Sequence, residues 1–456
     1  MDLNRKRVTV LGLGRFGGGV AAARWLAEQG ALVTVTDLAG QSELAESLAA
    51  LEGVPIDRFR LGGHSEDDSR RADLLVVNPA VRPGNPLVEI ARRAGSRLTS
   101  ELELFLEHCP APVVGVTGSN GKSTTAAMTA AILRADGRRA WLGGNIGRSL
   151  LGHLAEISPD DWAVLEISSF QLHWLGPHVP MPRVAVVTGC SPNHLDWHES
   201  WPAYVAAKQR LLTAQPADGV AVLNTHDPEV ATWAGLARGR QGPLPELGSL
   251  PPLRVPGEHN RLDAALAAGA ALAAGCGDAA VGRGLEAFGG LPMRLEWLAV
   301  IEGRRFYNDS TSTTPESTAA ALEAVDEPVW LLAGGREKGC AMERLTSAAA
   351  ARARGAAFFG QSGEMLRADA ARRNAGLPCT AVETLADALR WCWDRSKPGE
   401  AIVLSPGCAS GDQFPNFRRR GEHFAELVRA MTDPLRREAL SSSVGAGGSP
   451  ASERPP

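Results

Sequence analysis

VVGVTGSNGKSTT, residues 113–125, reads as a buried strand, a glycine turn and the opening of a helix. A turn of that kind suits a phosphate, because its backbone N–H groups and the positive end of the helix dipole face the anion. In GSNGKST, residues 118–124, Gly118 and Gly121 let the backbone of Ser119 and Asn120 come close. Lys122 is placed for the β- and γ-phosphates, and Ser123 or Thr124 for Mg²⁺. The spacing departs from G-x-x-x-x-G-K-[ST], since Val116 stands five before Gly121 and Gly115 one place further back. A surface turn that happens to contain Gly-Lys-Ser is the competing reading. The strand before it and the helix after it favour ATP.

A hundred residues upstream, VTVLGLGRFGGGV (8–20) holds a second cradle, with glycines at 12, 14 and 17 in a G-x-G-x-x-G pattern. Alone it suggests NAD, and Asp37, ending VTVTD, would fit the acidic residue expected on a ribose. Around both cradles the chain alternates β-rich runs (RVTVLG, ALVTVTD, ADLLVVN, PAPVVGV, WAVLEIS, RVAVVTG, GVAVLN) with helical patterns, which predicts parallel α/β sheets. After GGLPMRLEWLAV a third set follows: RRFYND, PVWLLAGG, GAAFFG and EAIVLSPG. At roughly 150 residues per domain, a length of 456 fits three consecutive α/β domains. We place them at 1–108, 109–294 and 295–434. The polar, Pro-rich segment 435–456 is expected to be a disordered tail.

The formal net charge is −4, with Lys and Arg spread along the chain and no aromatic stacking platform, which argues against nucleic acid. Seven cysteines, never in C-x-x-C spacing, argue against a zinc site or a disulfide framework and read as reduced, mostly buried thiols. No apolar run nears the roughly 20 residues that span a bilayer, and MDLNRKR has no signal-peptide core. A cytoplasmic monomer with no membrane or nucleic-acid partner is expected.

A triphosphate loop binds fuel without naming the reaction. Downstream, VLEISSFQL puts Glu166 near the end of a buried strand, where ligands of open sheets gather and a carboxylate suits Mg²⁺; a helix-capping Glu is the alternative. TGCSPNHLDWHES carries His194, Asp196 and His198, ambiguous between capping, metal binding and catalysis. Lys208 sits among apolar helix neighbours in SWPAYVAAKQRLL, where a solvated lysine is the usual explanation.

Taken in order, GLGRFG, VTGSNGKST, GGNIG, LEISSFQL, NHLD with AAK fourteen residues beyond the histidine, GEHN, GLPMRLE, NDST, GGREKG and SPGCASGDQFPNFRRRG resemble the Mur ligases, ATP-dependent amide-forming enzymes of peptidoglycan precursor synthesis. The resemblance runs from about residue 7 to 430, and SSFQL with the SPGCAS-DQF-NF run points to the branch that adds D-glutamate to UDP-N-acetylmuramoyl-L-alanine. It accounts for the glycine spacing, since the family uses TGxNGK[ST]. It implies that ATP phosphorylates the substrate carboxylate and that the amine of glutamate attacks the acyl phosphate. It further implies that Lys122 holds the transferring phosphate, that Ser123 and Glu166 bind one Mg²⁺, and that His194 lies near a second metal. Lys208 would be carried as a carbamate, an anion able to bind Mg²⁺. Asn260, Arg294 and Asp309 would serve the nucleotide, and Thr313, Lys338, Ser410 and Phe417 the incoming glutamate. The first cradle would then hold the UDP-sugar, with Gly14, Arg15, Phe16 and Asp37, and Asn145 of GGNIG, on that substrate.

Several positions differ from the family pattern: Thr311 for lysine, Asp263 for a second asparagine, Met293 for histidine, Asn78 and Ala80 for serine and glycine, and Gly411 for leucine. They leave ATP use and ligation in place but open the acceptor to L-glutamate or another amino acid. A folylpolyglutamate-type or other Mur ligase, an NAD-dependent oxidoreductase and a non-catalytic binding protein are the alternatives.

Overall fold

The computed structural model describes residues 2–14, 17–147, 149–337 and 342–432. Arg15, Phe16, Lys338, Cys340 and the expected tail 435–456 lie outside the described residues. The chain divides into two compact units, one of residues 1–252 with 259–287, the other of residues 253–258 with 288–456.

The first unit holds two parallel sheets. Strands β1 (Arg7–Leu11), β2 (Leu32–Asp37), β3 (Arg58–Leu61), β4 (Leu74–Val77) and β5 (Arg97–Thr99) lie in the order β3-β2-β1-β4-β5. The chain leaves β1 for one side of the sheet and later returns to the other, so the turn after β1, carrying Gly12 and Gly14, sits at the switch point where open sheets take their ligands. The second sheet contains β6 (Val113–Thr117), β7 (Ala140–Gly144), β8 (Trp162–Glu166), β9 (Val184–Val187), β10 (Val220–Leu223) and β11 (Arg240–Gln241), in the order β11-β10-β9-β6-β8-β7. Here β6 lies between β8 and β9, which again puts its C-terminal loop at a crevice. Strands covered on both faces need unbroken apolar runs. Accordingly every residue of β6, β8, β9 and β10 is buried.

One apolar core, from Leu3 and Val8 through Leu102 and Phe105 to Leu165, Tyr204 and Trp233, runs through both sheets. Polar ties add to it: Trp174 Nε1 donates to the Val81 carbonyl at 3.0 Å, and the Gly176 N–H to Glu103 Oε2 at 2.7 Å. Glu103 itself is buried and joined to Arg97, so its carboxylate is paired as a buried charge must be.

The second unit holds β12 (Glu296–Ile301), β13 (Arg304–Asn308), β14 (Val329–Gly334), β15 (Ala353–Phe359), β16 (Cys379–Val382) and β17 (Ala401–Leu404), in the order β12-β13-β17-β14-β15-β16. β12 runs antiparallel to β13, whereas the other pairings are parallel. The sequence reading passed over β12 because EWLAVI follows directly on GGLPMRL and reads as the lead into the third set; its side chains are mostly half-buried. The six cysteines described are free, four of them buried. No described helix is long and apolar enough to cross a membrane.

Helix Asp278–Ala287 crosses helix Lys122–Ala135 at a glycine. A Cβ on Gly284 would lie 2.5 Å from Ile132 Cα. Gly284→Leu is therefore expected to destabilise the first unit by about 1–3 kcal/mol through overpacking, seen as a lower urea midpoint without loss of the second unit's transition.

Candidate active site

The loop after β6 is built backbone first. Gly118 has φ 152° and Gly121 φ 79°, and a Cβ on Gly118 would fall 2.0 Å from Thr188 Oγ1. Glycine is required at 118 by that contact as much as by the dihedral. Gly121 caps helix Lys122–Ala135 without a side-chain acceptor, so the helix's first N–H groups stay available to an anion. Around the loop, the Ser119 N–H donates to the Gly189 carbonyl at 2.8 Å. The Ser119 hydroxyl bonds the Ser191 carbonyl at 2.9 Å and lies 2.8 Å from the Tyr204 hydroxyl. Thr188 donates to the Asn120 carbonyl.

Lys122 starts the helix, and its ammonium donates to the Ser119 carbonyl at 2.9 Å. Two residues beyond Gly121 the helix gives Ser123, whose hydroxyl donates to Glu166 Oε2 at 2.5 Å. Glu166 is the last residue of β8 and 3% exposed. Its other oxygen accepts from Asn145 Nδ2 at 2.7 Å, while the Asn145 N–H bonds the Glu166 carbonyl at 2.8 Å. Hydroxyl and carboxylate oxygens side by side form a hard donor pair of the kind Mg²⁺ accepts alongside phosphate and water oxygens. The described residues contain no group of three or more His, Cys, Asp or Glu able to hold a metal by themselves. A cation here would need the phosphates as well.

Lys208 is 1% exposed, so the solvated-lysine reading is corrected. It lies on helix Trp201–Thr213, whose apolar side packs into the unit, and its ammonium donates to the Gly118 carbonyl at 2.6 Å. The nitrogen also stands 4.6 Å from the centre of the Tyr204 ring, one helical turn before it. Burial, reinforced by the charge of Lys122, lowers the amine to about 7. Tyr204 thus touches both Lys208 and the loop through Ser119. The sequence reading missed it, although its i, i+4 spacing from Lys208 was a usable signal.

His194 has a left-handed φ of 53° and precedes the short helix Leu195–His198. Its exposed ring lies 4.9 Å from that of Phe170, and no hydrogen bond ties it to Glu166 or Lys208. His198, by contrast, is buried against Ser169 Oγ at 2.9 Å and held down to about 4 by burial. SSFQL itself makes a capping box: Ser168 and Gln171 bond each other's backbone at the start of helix Ser169–Trp174.

In the first cradle Asp37 holds the turn, accepting the Gly14 N–H at 3.0 Å and the Ala39 N–H at 2.8 Å. The Gly14 carbonyl accepts from Ser47 Oγ at 2.7 Å. Asn260 and Asp263 are buried on helix Glu258–Ala273.

The second unit carries the remaining candidates. Arg294 is exposed on a turn between Met293 and Leu295, both with left-handed φ (60° and 42°). Asp309 is 3% exposed, with its oxygens accepting the Leu295 N–H at 3.1 Å and the Ser405 hydroxyl at 2.7 Å. It braces the turn that presents Arg294, and burial raises it to about 6. Ser410 is buried, Thr313 half-buried, and Phe417, the first residue of helix Phe417–Met431, exposes its ring. At the C-terminal ends of β14 and β15 a cavity of about 670 Å³ is lined by Arg336, Glu337, Gln361, Ser362 and Met365.

Comparison with known proteins places all three sheets. Residues 6–100 match the Mur ligase MurD-like N-terminal domain, 116–243 the Mur ligase middle domain and 293–408 the Mur ligase glutamate ligase domain. The chain is 35% identical to the UDP-N-acetylmuramoylalanine–D-glutamate ligase of Roseiflexus sp. (strain RS-1), over 95% of this chain and 100% of that one. It is 38% identical to the enzyme of the same name from Anaeromyxobacter dehalogenans (strain 2CP-C), over 94% and 98%. Among solved structures, the UDP-N-acetylmuramate-alanine ligase MurC of Thermotoga maritima superposes with a TM-score of 0.56 at 18% identity, covering 93% of this chain and 100% of that one. MurF of Acinetobacter baumannii gives 0.56 at 16%, covering 93% of each. These two likenesses show the shared three-domain α/β fold.

Gly118→Ala is expected to cost about 1–3 kcal/mol in strain at the loop and to weaken binding of a triphosphate at least about tenfold. Thermal unfolding and nucleotide titration of the purified variant check the two effects.

Proposed function

The chain belongs to the Mur ligase family, and from that premise we propose that it joins D-glutamate to UDP-N-acetylmuramoyl-L-alanine at the expense of ATP. The observation that carries the reading is the Ser123–Glu166 pair at the mouth of the loop after β6, with Lys122 beside it. A free carboxylate resists amide formation because its carbon is a poor electrophile and oxide a poor leaving group. Phosphoryl transfer from ATP repairs both, and the amine of glutamate then displaces phosphate.

Lys122 and the N–H groups at the start of helix Lys122–Ala135 neutralise the transferring phosphate. Ser123 and Glu166 would hold Mg²⁺, and bound there the ion would supply positive charge to the phosphate oxygens. His194, in the segment after β9, would serve a second ion. Addition of CO₂ to the neutral Lys208 amine, with release of a proton, would give a carbamate and turn a buried cation into an anionic oxygen donor. Gly14 and Asp37, with Arg15 and Phe16, would take the uridine diphosphate end of the sugar substrate, and Asn145 its muramoyl-alanine end. On the second unit, Thr313, Lys338, Ser410 and Phe417 would receive glutamate, and Arg294 with Asp309 behind it would serve the nucleotide, as would Asn260 on the first unit.

Phosphate release by the purified chain is expected to require ATP, UDP-N-acetylmuramoyl-L-alanine and an amino acid together, with D-glutamate preferred over L-glutamate, D-aspartate and meso-diaminopimelate. Release with no amino-acid requirement, or NAD reduction without ATP, would sink the reading. Lys208→Ala is expected to lower kcat by about 10²–10³ and to be partly rescued by a short-chain carboxylic acid. Full activity without rescue would exclude the carbamate.

A further inference from the structure

Three turns at the C-terminal end of the second unit's sheet are tied into one rim. After β14, the Arg336 N–H donates to the Ala409 carbonyl at 2.8 Å, and the Ala409 N–H returns to the Arg336 carbonyl at 3.0 Å. From the turn after β15, the Ser362 N–H reaches the Gly335 carbonyl at 3.0 Å and the Gln361 N–H reaches Asp412 Oδ2 at 3.0 Å. This rim surrounds the cavity of about 670 Å³ lined by Arg336, Glu337, Gln361, Ser362 and Met365, a size usual for a small-ligand pocket. Arg336 is exposed on its wall and makes no ion pair among the described residues. A Cβ on Gly411, the residue after Ser410, would stand 3.8 Å from the Arg336 Nη1, so the charge lies beside Ser410.

Every amino acid brings an α-carboxylate, so the choice among acceptors rests on what meets the side chain. Few groups at this rim could offer a cation to a second carboxylate. Arg420 is fully buried, and its guanidinium is spent on the Ser310 hydroxyl, the Ser310 carbonyl and the Cys408 carbonyl, at 3.0–3.1 Å. Thr311, where the family pattern has lysine, is neutral and bonded to the Met293 carbonyl. Lys338 lies outside the described residues. Resting on the assignment of this unit to glutamate, we propose that Arg336 fixes the class of acceptor: its guanidinium pairs with the side-chain carboxylate of the incoming amino acid and selects an acidic acceptor over a neutral one. A planar guanidinium suits that task because its parallel N–H groups match both oxygens of a carboxylate. Gln361 and Ser362 on the same wall carry further donors for the remaining lone pairs. Glu337 gives the cavity both signs of charge, which suits an amino acid better than a phosphate.

Steady-state phosphate release by the full chain with ATP and UDP-N-acetylmuramoyl-L-alanine is measured with D-glutamate and with D-glutamine, acceptors nearly equal in shape and different in charge. The wild type is expected to favour D-glutamate. Arg336→Gln is expected to lower the ratio of kcat/KM for D-glutamate over D-glutamine by about tenfold or more, chiefly through the KM for D-glutamate. Arg336→Lys, which keeps the charge and loses the planar fork, is expected to retain part of that ratio. A merely structural role for Arg336 would weaken both acceptors alike; an unchanged ratio in Arg336→Gln therefore overturns the proposal. Equal use of the two acceptors by the wild type overturns it without any variant. Absence of amino-acid-dependent phosphate release from the wild type with any acceptor overturns the ligase reading itself, and this inference with it.

Discussion

A buried ammonium on a backbone carbonyl organises the first unit. Lys208 donates to the Gly118 carbonyl, the residue where the phosphate loop leaves β6. An amine without a carboxylate bonded to it loses hydration on burial and recovers only part of that loss from one carbonyl and an aromatic face. Lys122 adds repulsion from the other side of the loop. The conformation of the loop is thus coupled to whatever relieves this charge. Tyr204, Ser119 and Ser191 are arranged as a chain of contacts that passes the constraint on to the segment leading to His194.

The sheets were legible where strands are covered on both faces, as in VVGVT and WAVLE, because burial there leaves an unbroken apolar signature. β12 was not, since a half-covered antiparallel strand reads like the flank of a turn. Of the site, Lys122, Ser123 and Glu166 could be picked out because strand–turn–helix punctuation fixes where each must emerge. Lys208 could be placed only by resemblance: its neighbours in sequence say nothing about the carbonyl ninety residues away that receives it. Tyr204, Thr188 and Ser191 were invisible for the same reason, as hydroxyls that act through contacts between distant segments.

Several departures from the family pattern shape a turn. Asn78 donates to the Gly12 carbonyl at 3.0 Å and accepts the Ala80 N–H at 3.0 Å, so it shapes the first glycine turn from the neighbouring strand. Thr311 donates to the Met293 carbonyl at 2.7 Å, and Met293 packs so closely on Gly421 that a Cβ there would stand 2.6 Å from its sulfur. Thr311 thus braces the turn that carries Arg294 through its backbone, and the Met293 side chain packs that turn against helix Phe417–Met431. A Cβ at Gly411 would stand in ordinary contact with the Arg336 guanidinium, at 3.8 Å.

The antiparallel placement of β12 also decides what the edge of the second unit's sheet offers to another chain. A parallel sheet ending on β13 would offer a row of unpaired N–H and C=O groups to another chain. Instead the edge is a strand broken by a register shift between Trp297 and Ala299, followed by Glu302, Arg304 and Arg305 at its hairpin. Its outward side chains include the exposed Val300, but the irregular ladder denies a second chain the straight template that growing a shared sheet requires. The strand that the sequence reading passed over is the one that sets the character of this edge.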